Sequence, residues 1–416
     1  MDKPIKNRVE EANKIATERI LKSRPLLIDI KPAIEVMHNM KKNSIFHAGP
    51  PIEWKRMCGP MKGAIVGTMI YEGYAESWTQ AVKMIEHGEI EFSTNHDHDA
   101  VGPMAGVISP SMPVLVVKNE IYGNICYGRF VENKVQFGLF DRDAVDTLRF
   151  WSETLAPCLA RAIRKSNGVD LKSIMAKALH MGDELHNRPA AGTLLFASVM
   201  IPYLIEAVDR DDLVKITKYF SENEIFFLCM SMAACKAIMN AATEIEYSTL
   251  ITVMARNGAD FGIKVSALGS EWFIGPASMI EGVYFPGYGP EDANLDIGDS
   301  AITETAGIGG FALADSPAIL SLIGGSAEDA IKYTKQMRDI TMTFNDTFSL
   351  PILDFQGTAT GIDLRKVLRT GVLPVIDTAI AHKEPGIGMI GAGLVRPPIH
   401  AFKKALHAYG AKYHLT

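Results

Sequence analysis

From Asp141 to about Glu244 the chain carries little but helical pattern, with capping aspartates at Asp141 and Asp170, Met- and Ala-rich faces and few β-branched runs. Short strand-type runs stand on both sides of this stretch. That arrangement predicts an α+β chain in three parts: an N-terminal α/β domain over 1–140, a helical domain or insertion over 141–245, and a C-terminal α/β domain over 246–416. At 416 residues a single core is strained, so several domains are the natural expectation.

The first forty residues read as helical. Val9, Ala12, Ile15, Ala16, Ile20 and Leu21 form an apolar stripe, and Pro25 closes the segment as a packing arm. Ile45 to Gly73 is a Gly/Pro-rich loop feeding a helix that starts near Met61, a good place for an anion. The runs at 113–119, 122–130 and 134–140 predict an antiparallel meander. After Tyr247 come two strands, in STLITVMARNG and DFGIKVSALG, and then a long acidic Gly/Pro tract. Helices are expected at Pro317–Leu322 and Ala327–Met342, a strand near 372–381, a glycine loop, and a terminal helix from about Pro398. No internal repeat is visible.

A formal charge of -6 and the lack of a basic tract interleaved with aromatics disfavour nucleic acid. Five scattered cysteines with no C-x-x-C pair indicate neither a disulfide framework nor a zinc ribbon, and predict a reducing, cytoplasmic setting. The charged N-terminus lacks the apolar core of a signal peptide, and no apolar run reads as long enough to span a bilayer.

The densest chemistry lies in TNHDHDAVGPMAG, where His96, Asp97, His98 and Asp99 adjoin and a Gly/Pro run follows. Imidazole and carboxylate suit zinc or manganese, or a general acid and base; an exposed polar turn bonded to its own backbone is the structural alternative. On a strand, His96 and His98 would share one face. A second cluster, HMGDELHNR, holds His180, Asp183, Glu184, His186, Asn187 and Arg188 at a helix end; a solvated helix end explains it as well as a site does.

The third cluster is the acidic tract, with Glu291, Asp292, Asn294, Asp296, Asp299, Ser300, Thr303, Glu304 and Thr305 running into Gly307–Gly310. Its groups suit a hard cation or an anionic oxygen, although the spacing is not that of an EF-hand. Arg256 and Asn257 stand at a strand end, where Arg grips carboxylate or phosphate well. Gly386, Gly388 and Gly391 have the G-x-G-x-x-G order, but Pro397 and Pro398 bar the long helix that a dinucleotide site needs. His382 and Lys383 are the better anion contacts there. No G-x-S-x-G elbow supports a serine hydrolase.

Taken together, HAGPPIEWKRMCGPMKGAIVG, HDAVGPMAGVISPSMPV, ALHMGDELHNR, MARNGADFGIKVS, FPGYGPEDANLDIGDSAITETAGIGGFA and IAHKEPGIGMIGAG resemble successive motifs of the AllG/YlbE-like family, from about residue 8 to the C-terminus. Two departures stand out: Asp97 interrupts what is usually a run of histidines, and Ile225 replaces a histidine in the family's N-D-H-F-F segment.

The resemblance implies a subunit of an oxamate carbamoyltransferase, interconverting oxalurate and phosphate with oxamate and carbamoyl phosphate in anaerobic allantoin and purine degradation. It further implies an FdrA-like partner and a smaller third subunit, in a homo-oligomer or hetero-complex, with no membrane and no cofactor. Two other roles remain open: a non-catalytic subunit completing its partner's site, and a metal-dependent amidohydrolase.

Small anionic carbamoyl substrates need cations, backbone amides and an acid or base. His96 or His98 is expected to move the proton, with Asp99 orienting it. Substrate contacts are expected from His47, Gly49, Gly102, His186, Asn187, Arg188, Arg256, Asn257, Asp299, Ser300, Glu304, Gly309, His382 and Lys383. No metal ligand is assigned, and proton transfer is favoured over metal binding at the histidine loop.

Overall fold

The structure, a computed structural model, describes residues 4–415 as an α+β chain. The N-terminal helix Ile5–Lys22 buries Val9, Ala12, Asn13, Ala16, Thr17 and Ile20 along one stripe. Asn13 carries this arm across to the C-terminal part, where its Oδ1 accepts from the Thr249 amide at 2.9 Å. The helix ends before Pro25, as expected, but the rest of the first forty residues is mainly a strand, Pro25–Pro32, where helix was expected. Pairing decides the matter, because this strand fills a gap between Pro113–Asn119 and Val169–Asp170.

Those three strands, with Ile125–Arg129 and Ala100–Val101, form a five-stranded sheet. The expected meander stops at two strands. Its third run, 134–140, is a single 3-10 turn at Val135–Phe137 followed by Gly138 at φ 88°. A Cβ on Gly138 would lie 2.6 Å from Pro60 Cα, so close packing against the helix Gly59–Tyr71 overrides the strand propensity there.

The helix Leu228–Asn240 packs on this sheet and is buried over every residue from Leu228 to Met239, as a helix that is apolar almost all round must be. The helix Ala190–Ala207 is different. By length and apolarity it is sufficient to cross a membrane, correcting the expectation that no run is, yet only a third of it is buried. Leu194, Ile201 and Ile205 stay exposed.

In the C-terminal part, Ile251–Asn257 pairs with Asp260–Val265 and with the two-residue strand Ile297–Gly298. The predicted glycine loop before Pro397 becomes a strand, Met389–Val395, between Glu281–Tyr284 and Ile376–Ala381. Its glycines serve close backbone approach, since a Cβ on Gly391 or Gly393 would lie 2.3 Å from a carbonyl oxygen of the neighbouring strand. A further pair, Thr341–Leu350 with Gln356–Ile362, follows the helix Ala327–Gln336. The main core draws on residues from Ala12 to Ala381 and so runs through all three stretches of the chain.

Candidate active site

The histidine loop is neither a strand nor free coil. Thr94 caps a 3-10 turn, Asn95–His98, by accepting from the Asp97 amide, and Asp99 leaves it in the left-handed region at φ 56°. A helical turn separates what a strand would have aligned. His96 points inward and is 3% exposed, whereas His98 stacks on Phe46 with centroids 3.8 Å apart.

His98 spends both ring nitrogens on the fold, one contacting the His38 carbonyl oxygen at 3.0 Å and the other Ser93 Oγ at 2.9 Å. Asp99 accepts from Asn240 Nδ2 at 2.6 Å and bonds to neither histidine. The carboxylate that faces the His96 ring is that of Asp299 and not Asp99: its Oδ1 lies 3.5 Å from His96 Nε2.

Asp299 is the hub of this region. Its carboxylate accepts from the Gly49 amide at 2.7 Å, the Gly102 amide at 3.0 Å and Asn95 Nδ2 at 2.9 Å, joining its own segment to the Gly49 loop and the histidine loop. Burial pushes its acid up to about 7, against these donors and Arg256, which favour the anion.

Gly49 has a physical reason to be glycine. At φ 82°, its Cβ would lie 2.4 Å from the Arg256 carbonyl carbon. Gly49→Ala is expected to cost about 2–4 kcal/mol, from the left-handed backbone and the overlap with main chain. Urea denaturation measures it, and a change under 1 kcal/mol would refute this close packing.

Both ring nitrogens of His96 are buried without a hydrogen-bond partner. The ring borders a cavity of about 380 Å³ that is also lined by Lys236, Lys264, Asp97, Asp99 and Asn240. Lys236 comes from the buried helix Leu228–Asn240 and has one bond, to the His96 carbonyl oxygen at 3.3 Å. Burial is the largest influence lowering its pKa, and Lys264 adds to it. Lys264 pairs with Asp97 at 2.5 Å and lies over the Trp272 ring, 4.8 Å from its centroid. Burial, then Lys236 and Lys264, hold the His96 pKa well below its ordinary value, so the imidazole is neutral near pH 7. The cavity therefore places Lys236, whose one bond is to a carbonyl oxygen, beside an unengaged neutral base, while Lys264 is already paired with Asp97.

The other expected contacts divide between fold and a second cavity. Arg256 does not reach into the first cavity as anticipated: it grips Asp296 with Nε and Nη2 at 2.7 and 2.9 Å, and reaches the Gly298 carbonyl, Ser300 Oγ and Thr378 Oγ1. Asn257 caps its own turn by accepting from the Ala259 and Asp260 amides, while its Nδ2 donates to the Pro50 carbonyl. His47 Nδ1 contacts the Ala48 carbonyl oxygen, and burial lowers its pKa. His382 and Lys383 lie at the other edge, with His382 Nδ1 accepting from the Glu384 amide and Lys383 Nζ donating to the Glu291 carbonyl. Neither lines the cavity beside His96.

The HMGDELHNR cluster lies beyond the helix, which ends at His180, because Gly182 and Leu185 take φ of 87° and 70°. Asp183 and His186 therefore share no helical face. His186, Asn187 and Ser300 border a cavity of about 410 Å³, walled also by Ile225. Arg188 turns back to the Gly182 carbonyl and to Asp183. Gly309 packs on Glu304, its missing Cβ leaving room for Oε1, and donates to the Glu184 carbonyl.

Sequence reasoning missed Lys236, Lys264 and Asp377. The available signal was charge out of place: Lys236 is the sole charged residue of LCMSMAACKAIMN, and Asp377 the sole acid of VLPVIDTAIA.

Residues 90–300, which include the histidine loop and Asp299, match the family described as "Oxamate carbamoyltransferase subunit AllG". The chain is 46% identical to "Uncharacterized protein YahG" of Escherichia coli K12, covering 99% of this chain and 88% of that protein. It is 40% identical to "Oxamate carbamoyltransferase subunit AllG" of the same organism, covering 96% and 97%. A crystal structure of a conserved protein of unknown function from Enterococcus faecalis V583 superposes with a TM-score of 0.97 at 46% identity, covering 99% of each chain.

Proposed function

The chain belongs to the AllG family of oxamate carbamoyltransferase subunits, and on that premise we propose that it is a carbamoyltransferase subunit whose substrate site is the cavity beside His96. The observation that carries this reading is the unengaged buried imidazole of His96 beside Lys236, with Lys264 across the cavity. Oxalurate and phosphate are both anions, and a buried ammonium with a single protein acceptor is well suited to hold one.

In the phosphorolytic direction, a phosphate oxygen bonds to the ureido carbon of oxalurate and the bond from that carbon to the oxamate nitrogen breaks. One proton passes from the phosphate hydroxyl through His96 to the departing nitrogen, giving oxamate and carbamoyl phosphate. Asp299 Oδ1 stands 3.5 Å from Nε2. The enzyme works in the cytoplasm as a hetero-complex with an FdrA-like subunit and a smaller third subunit. The exposed apolar residues Leu194, Ile201 and Ile205 on one helix supply a surface for such assembly.

The test separates this reading from a purely scaffolding role. Phosphate binding by the isolated chain and oxalurate phosphorolysis by the assembled complex are measured for wild type and Lys236→Met. Replacement of the ammonium by an apolar side chain is expected to weaken phosphate binding about 10- to 100-fold, the loss of a charge-assisted contact worth about 1.5–3 kcal/mol. Unchanged binding and turnover in Lys236→Met would place the reaction on the partner.

A further inference from the structure

A second constellation lies outside the cavity beside His96 and belongs to no step of the reaction above. The turn after His180 carries His186 between Glu304, on the short helix Ile302–Ala306, and Asp377, on the strand Ile376–Ala381. His186 Nδ1 lies 2.8 Å from Glu304 Oε1 and 3.1 Å from Asp377 Oδ1, and all three side chains are at most 3% exposed. Glu304 is held in place from behind, because its Oε1 accepts from the Gly310 amide at 2.8 Å and its Oε2 from Thr303 Oγ1 at 3.0 Å. Glu184 is held likewise, accepting from the His186 and Arg188 amides.

Asp377 is the exception. It is 0% exposed and neither carboxylate oxygen has a hydrogen bond, although its Oδ1 faces His186 Nδ1. The hydrogen-bond contact of His186 Nδ1 is with Glu304 Oε1, at 2.8 Å. Three buried carboxylates therefore face one imidazole, and no Lys or Arg side chain forms an ion pair with Glu184, Glu304 or Asp377 among the described residues. An uncompensated buried carboxylate costs several kcal/mol, and the His186 ring is the one group of this cluster able to carry a positive charge against three carboxyl groups.

We propose that His186, Glu304 and Asp377 bind a divalent transition-metal ion. Donors in adjacent positions on an octahedral ion, at bond lengths of about 2.1 Å, stand about 3 Å apart. The separations of 2.8 and 3.1 Å from His186 Nδ1 match that spacing. One imidazole nitrogen with two carboxylate oxygens suits manganese or zinc, and the absence of thiolate disfavours copper(I) and iron–sulfur centres. His186 also borders the 410 Å³ cavity, where Asn187 Nδ2 is buried without a partner, while Glu304 and Asp377 do not line it. The amide supports of Glu304 are the kind of outer contacts that fix a ligand's orientation.

The full chain, stripped with a chelator and dialysed, is titrated with Mn2+ and separately with Zn2+ by calorimetry, and its metal content is measured after gel filtration. One ion per chain is expected for at least one of the two metals, with a rise in melting temperature on loading. Asp377→Asn and His186→Gln are expected to weaken that binding at least 100-fold, while His98→Ala, whose ring bonds elsewhere, leaves it unchanged. Circular dichroism checks that each variant is folded. Failure of the wild type to retain either ion, or equal retention by Asp377→Asn, overturns the proposal. An isolated gain of stability in Asp377→Asn without metal binding in the wild type would show that the cluster shares protons instead. The readout needs no activity, so the outcome is independent of the carbamoyl-transfer reading.

Discussion

The His96→Gln variant in the assembled complex is expected to bind phosphate as wild type does and to lose about 100- to 10,000-fold in turnover, the range of a positioned acid–base group. Glutamine keeps a polar side chain in the turn but cannot take and return a proton. The pH profile adds a second signature. Burial, together with Lys236 and Lys264, lowers the His96 pKa, so the neutral ring persists below the ordinary value of 6.5 and is lost only at more acid pH. The acid limb of kcat/KM should therefore fall below pH 6.5. Removing the nearby charge in Lys236→Met weakens one cause of that depression and should move the limb to higher pH. Full turnover in His96→Gln, or an acid limb that Lys236→Met leaves in place, would remove His96 from the reaction.

Arg256→Met is expected to destabilise the fold by about 3–5 kcal/mol, the cost of leaving a buried carboxylate without its partner. The guanidinium is wholly buried and bonds Asp296 through two nitrogens while also donating to the Gly298 carbonyl. That carbonyl belongs to Ile297–Gly298, the short strand whose register places Gly298 opposite Arg256 and leads directly to Asp299. Loss of the guanidinium thus loosens the residue that joins the Gly49 loop to the histidine loop. Combining Arg256→Met with Asp296→Leu should recover most of the lost stability, because it removes the stranded charge as well. Equilibrium urea unfolding reads both variants. A stability change below 1 kcal/mol with a KM raised tenfold or more would mean that Arg256 holds substrate.

Local patterning carried much of the architecture. The apolar stripe from Val9 to Ile20, the helical run after Asp141 and the strands on either side of Asn257 are all formed, because each depends on periodicity and caps close in sequence. Where neighbours distant in sequence decide, the reading departed from the fold. The run 134–140 yields to packing against Pro60, and the glycines of Met389–Val395 form a strand because its partners approach too closely for a Cβ. For the same reason TNHDHDAVGPMAG marked a segment that borders a cavity without assigning its side chains, since Asp97, His98 and Asp99 each find partners on other elements.

The sequence by itself determined the α+β class, the resemblance to its family, and His96 and the Gly-rich loops as places where polar groups gather. Only the tertiary structure decided which groups remain unengaged. Lys236 and Asp377 are solitary charges in apolar runs, and nothing in their own segments requires a partner or denies one. Burial supplies the distinction. Once water is excluded, the free energy of each charge depends on the few atoms within about 4 Å, which come from remote parts of the chain.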